Sequence, residues 1–119
     1  MKTAKFLLCE NPIADKSDGR IFILHNRNPL ILAEVFHFDI ENEELQMNCK
    51  RQFTIGSSLE FGNQYIVFGA LWTIPDARFL AKEAQKQANE LAGIMRRMAD
   101  WYESYLIWED QQDIDSFLG

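Results

Sequence analysis

Residues 77–108, ARFLAKEAQKQANELAGIMRRMADWYESYLIW, carry the pattern from which the fold is read. Wound at about 100° per residue, Leu80, Ala84, Ala88, Leu91, Ile94, Met95, Met98, Trp101, Tyr102, Tyr105 and Leu106 fall on one broad face. Arg78, Lys82, Lys86, Asn89, Gly93, Arg96 and Asp100 fall opposite. The stretch holds no proline and a single glycine, and good helix formers fill most of it, so propensity and periodicity agree. Just upstream, Thr73-Ile74-Pro75-Asp76 has the composition of a helix start. The spacing predicts one long amphipathic helix over about residues 75–108. Its charges run against the helix dipole, with Arg78, Lys82 and Lys86 early and Asp100, Glu103, Glu109 and Asp110 late.

A helix of this kind needs an apolar floor, and the preceding residues read as strands. Thr3 to Cys9 is a short first strand, and a polar loop with Asp18-Gly19 leads to Arg20–His25. Asn26-Arg27-Asn28-Pro29 then turns the chain into Leu30–Asp39, so the two runs form a hairpin. After an acidic connector, Leu45, Met47, Cys49, Phe53 and Ile55 alternate with polar residues, which predicts a strand over 45–55. Gly56 to Asn63 reads as a loop and Gln64–Ile74 as the last strand. The expected fold is α+β: an antiparallel five-stranded meander, with strands at about 3–9, 20–25, 30–39, 45–55 and 64–74, under one C-terminal helix. Residues 1–108 form the domain and 109–119 an acidic tail.

Two of these strands are apolar on both faces. Leu32, Phe36 and Phe38 oppose Ile31, Ala33 and Val35, while Tyr65, Val67 and Leu71 oppose Ile66, Phe68, Ala70 and Trp72. A strand covered on one face alternates with polar residues, and these do not. One helix covers one face, so a second copy of the chain is expected on the other, giving a homodimer.

Composition removes several classes. The chain of 119 residues is one domain's length, and Cys9 and Cys49 lack metal or redox spacing. Only Phe6, Leu7 and Leu8 separate Lys5 from Cys9, too few for a signal peptide, and no run is long enough to span a membrane. A cytoplasmic protein is expected. Of the net charge of −6, all lies after residue 99, where six acids stand without a basic residue. His25 and His37 have no ligand spacing, and no nucleophile motif or phosphate-cradling loop occurs. Asp39 to Glu44 resembles the opening of a calcium loop, but Glu44 stands where glycine is required and Lys50 at the twelfth position. No catalytic, metal or cofactor-binding residue is therefore assigned, and no cofactor is expected.

The expected function is that of a small non-enzymatic binding or adaptor protein acting through protein–protein interaction as a homodimer. Phe36, Phe38, Phe68, Trp72, Trp101, Tyr105 and Trp108 are the candidate interface, and Ile114, Phe117 and Leu118 a tail that docks into an unknown protein partner. The alternative is a single-stranded nucleic-acid binder using the basic helix row or the sheet face, with Lys50, Arg78, Lys82, Lys86, Arg96 and Arg97 as its candidate residues. A meander followed by a helix resembles, in bare topology, the PUR-type and Whirly-type single-strand binders, with no residue motif of either.

Overall fold

The computed structural model describes residues 4–10 and 20–118, with side chains through residue 112. The elements run β1 (Phe6–Glu10), β2 (Ile21–His25), β3 (Leu30–Asp39), α1 (Glu43–Lys50), β4 (Gly56–Phe61), β5 (Gln64–Ile74), α2 (Ala77–Leu80) and α3 (Ala84–Leu118). The class is the expected one: an α+β fold with a five-stranded antiparallel sheet and a long C-terminal helix. The strand order β1-β2-β3-β5-β4 departs from a meander. Both β3 and β4 pair antiparallel with β5, so β3, α1 and β4 form a crossover whose gap β5 fills.

The largest correction concerns residues 45–55, which do not form a strand. Glu43–Lys50 is α1, and the fourth strand starts at Gly56, inside the stretch expected to be a loop. The alternation of Leu45, Met47 and Cys49 was coincidental: Leu45 and Met47 are exposed, whereas Gln46 and Cys49, three apart, face inward. Glu43 and Glu44 in the first turn and Lys50 in the last match the dipole. No β-branched residue occurs between Ile40 and Thr54. Gln46 anchors α1 by donating from Nε2 to the carbonyls of Asp39 and Ile40, at 2.8 and 3.1 Å. β4 and β5 are joined by Gly62-Asn63, with φ of 61° at Gly62 and no positive φ at Asn63, the pattern of a type II′ hairpin.

The helix start is also refined. Asp76 caps α2, its Oδ1 accepting from the Phe79 amide at 2.9 Å, and Phe79 is buried. The chain then breaks for Lys82 and Glu83 before α3 begins. The Gln87 side chain donates to the Lys82 carbonyl at 2.8 Å, satisfying an acceptor that the break frees. At its other end α3 continues beyond residue 108, so the backbone of the acidic tail is helical to Leu118.

α3 lies across one sheet face. Ile94, Met95, Met98, Ala99 and Tyr102 pack onto Phe6, Ile23, Ile31, Ala33, Val35, Ile66 and Phe68 to form the core. Ser57 Oγ donates to the Met95 carbonyl at 2.7 Å and ties β4 to the helix. His25, buried in this layer, donates from Nδ1 to the Pro29 carbonyl at 2.8 Å, and desolvation lowers its pKa. Of the expected interface, Phe68 belongs to this core, edge-on to Tyr102, and offers a partner nothing.

Candidate interaction surface

The second sheet face is built from the alternate residues of the same strands. β1 and β2 contribute Leu7, Cys9, Phe22 and Leu24, and β3 contributes Leu32, Glu34, Phe36 and Phe38. β5 changes face part-way. Ala33 pairs with Ala70 and Leu32 with Trp72, leaving Leu71 as an extra residue in a β-bulge. Strict alternation put Trp72 on the same face as Phe68; the bulge turns Trp72 and Ile74 to the second face, beside Leu32 and Leu30.

One half of this face has a cover made by the chain itself. α1 lies over it, with Lys50 above the Tyr65 ring at 4.6 Å and Cys49 buried beneath. The connector after α1 adds Phe53, whose ring rests on Gly69 and meets the Phe36 ring at a centroid distance of 5.6 Å. Glycine permits that approach, since a Cβ at residue 69 would lie 2.4 Å from the ring. The premise that no second helix was available for this face is thus corrected. At the margin, Arg20 grips Glu34 through two bonds of 2.9 and 3.0 Å and sits over the Phe22 ring at 5.1 Å. Burial and then the Glu34 carboxylate push the Cys49 thiol up.

Nothing among the described residues covers the other half. Leu7, Leu24, Leu32 and Trp72 stand in one row across β1, β2, β3 and β5, joined by Leu71 and Ile74. Leu7, Leu71, Trp72 and Ile74 are 39, 43, 42 and 55 % exposed. Single exposed leucines are ordinary, but a contiguous apolar row is a surface that something meets. Of the expected interface only Trp72 lies here, while Phe36 and Phe38 sit toward the end that α1 covers. Leu7, Leu24, Leu32 and Ile74 were missed, because their membership depends on strand order and on the bulge.

The remaining aromatic residues of the expected interface lie on the α3 layer. Phe6, Trp101, Tyr105 and Trp108 form a ladder with successive ring centroids 5.8, 6.2 and 6.1 Å apart. Trp101 and Tyr105 are half-buried, and Trp108 is exposed. The side chains of Ile114, Phe117 and Leu118, assigned to tail docking, lie outside the described residues. The basic residues do not gather. Lys50 is on the opposite layer from α3, Lys82 pairs with Glu90 in the α2–α3 break, and Arg78 is on the separate α2. Lys86, Arg96 and Arg97 are exposed along α3.

A cavity of about 710 Å³ opens where α3 leaves the sheet, lined by Glu10, Glu34, Phe36, His37, Tyr102 and Glu109 among others. Several of its polar groups are engaged with one another. His37 Nδ1 lies 2.8 Å from Gln64 Oε1, an acceptor, so the neutral ring carries its proton there and accepts at Nε2 from the Tyr102 hydroxyl, 2.9 Å away. Desolvation pushes the Tyr102 pKa up to about 12, so this phenol keeps its proton at neutral pH. The Tyr105 phenol is also raised, first by its bond to Glu109. Among the described residues no three His, Cys, Asp or Glu side chains group to hold a metal ion. No described helix is long and apolar enough to cross a membrane. Compared with known protein families, curated proteins and solved structures, the chain matches none.

Proposed function

We propose that this protein is a non-enzymatic binding module that acts through protein–protein association and works as a homodimer. The observation supporting this reading is the uncovered row of Leu7, Leu24, Leu32 and Trp72, extended by Leu71 and Ile74. The occupant is a second copy. In a two-fold contact each residue near the axis meets its own twin, so charges there would face like charges. This row contains no charge, and the nearest ion pair on the face, Arg20 with Glu34, is internally matched. Burying such a surface is favourable at about 25 cal/mol per Å² of apolar area, before the entropy of association is subtracted.

Light scattering coupled to size exclusion tests this. The wild-type protein should carry at least two chains per particle, and Leu24→Lys or Trp72→Lys should lower that number while circular dichroism stays unchanged. A wild-type mass of one chain at every concentration would oppose the reading. The single-strand nucleic-acid reading has weaker support, since its basic residues divide between two layers. Titration with labelled oligonucleotides at low salt tests it separately.

A further inference from the structure

α3 outruns the body of the molecule. Tyr105 and Leu106 are its last side chains packed against the core, whereas Ile107 and Trp108 are 48 and 54 % exposed. The backbone stays helical to Leu118, so about twelve residues, roughly 18 Å at 1.5 Å per residue, project as an arm. An arm of that length is marginally stable without a surface to pack on.

The outward charges of α3 indicate which surface. Lys86, Arg96 and Arg97 come first, Asp100 and Asp110 follow, and no basic residue occurs after Arg97. All five are exposed, and none has an ion-pair partner among the described residues. Within one helix this order opposes the macrodipole. Between two antiparallel copies it becomes complementary, because Lys86 and Arg96 have the same spacing as Asp100 and Asp110. With the two-fold axis level with Met98, Arg96 stands beside Asp100 of the partner subunit. Lys86 then stands beside Asp110 of the partner subunit. The same register brings each arm level with Lys86 and the α2–α3 corner of the other copy, where Leu80 is 61 % exposed.

We propose that α3 is a self-complementary docking surface: two copies pair this helix antiparallel, and the acidic arm of each seats on the basic start of the other. This contact is additional to the one on the open sheet half, lies on the opposite layer, and rests on its own observations.

The test is light scattering on the full chain at about 0.05 M and about 0.5 M salt, since exposed pairs are screened as salt rises. Wild-type mass should fall about twofold at high salt. Two variants, K86E/R96E and D100K/D110K, are measured alone and mixed. Each alone places like charges opposite and should show the lower mass even at low salt. Mixed, they recreate every opposite-charge pairing and should recover the wild-type mass. Equal mass for the wild-type protein and either folded variant, or a mixture that stays at the lower mass, overturns the proposal. L24K leaves the salt-dependent step intact, so failure of the sheet contact and failure of the α3 contact show separately.

Discussion

Replacing Gly69 with alanine should destabilise the protein, although its backbone gives no reason to expect so. Among the described residues the only glycine with a positive φ is Gly62, so residue 69 has a conformation open to any side chain. On backbone entropy alone, alanine in a strand gains about 0.5–1 kcal/mol over glycine. The structure predicts the opposite sign. The new Cβ would lie 2.4 Å from carbons of the Phe53 ring, well inside the ordinary contact distance of about 3.5–4.0 Å. The ring is blocked on one side by Phe36, at a centroid distance of 5.6 Å, so it must lift away from β5. Overpacking of this kind costs about 1–3 kcal/mol, leaving a net loss on the order of 1–2 kcal/mol after the entropy gain. Urea unfolding should show the midpoint falling with an unchanged slope. In a Phe53→Ala background the clash has no partner, and Gly69→Ala should become neutral or stabilising, a coupling of about 1 kcal/mol or more. Equal effects in both backgrounds, or a more stable single variant, would refute the placement of Phe53 on the second sheet face.

Three further outcomes follow from titratable groups. Burial holds His25 below its ordinary value of 6.5, so the unfolded chain takes up the proton first. Stability is full above that value and should decline as pH falls through it, and a His25→Gln variant measured in the same urea series should lose that slope. Tyr102, pushed up to about 12, should be the last tyrosine to ionise in an ultraviolet absorbance titration. Its stabilising share is complete below the ordinary value of 10.0 and is lost as pH rises towards 12, so normal titration of all three tyrosines would contradict its burial. Cys49, buried and shifted upward, should react with a disulfide reagent far more slowly than Cys9 in the folded protein and at a comparable rate in denaturant. Equal native rates would contradict the α1 cover.

The parts of the fold written in long-range periodicity were legible. The run from Leu91 to Leu106 repeats its apolar positions for several turns, so its buried face was readable, whereas Leu30–Asp39 was readable as a strand apolar on both faces, with no sign of which face α3 covers. Residues 43–50 failed because eight residues are too few to separate a period of 2 from one of 3.6. The more telling signal was local chemistry: acids at the start, a lysine at the end and no β-branched side chain. Gly62-Asn63 between two apolar runs is likewise a hairpin signal, overlooked beneath the glycine and serine content around it. The open row could not be read so directly. Trp72 reaches it through a bulge opposite Leu32, and Leu7 joins it only because β1 pairs with β2, both properties of strand pairing rather than of any one segment. The break at Lys82 and Glu83 has no proline or glycine to announce it and is set by the burial of Phe79 and the reach of Gln87.

Covalent footprinting of the wild-type protein across a dilution series tests the surface assignment most directly. Labelling of Leu24, Leu32 and Trp72 should be suppressed in concentrated solution and rise together on dilution, while Phe53 and Cys49 under the α1 cover keep one low level throughout. If the three row residues label equally at every concentration, the open half of the sheet is not where this protein meets its own copy.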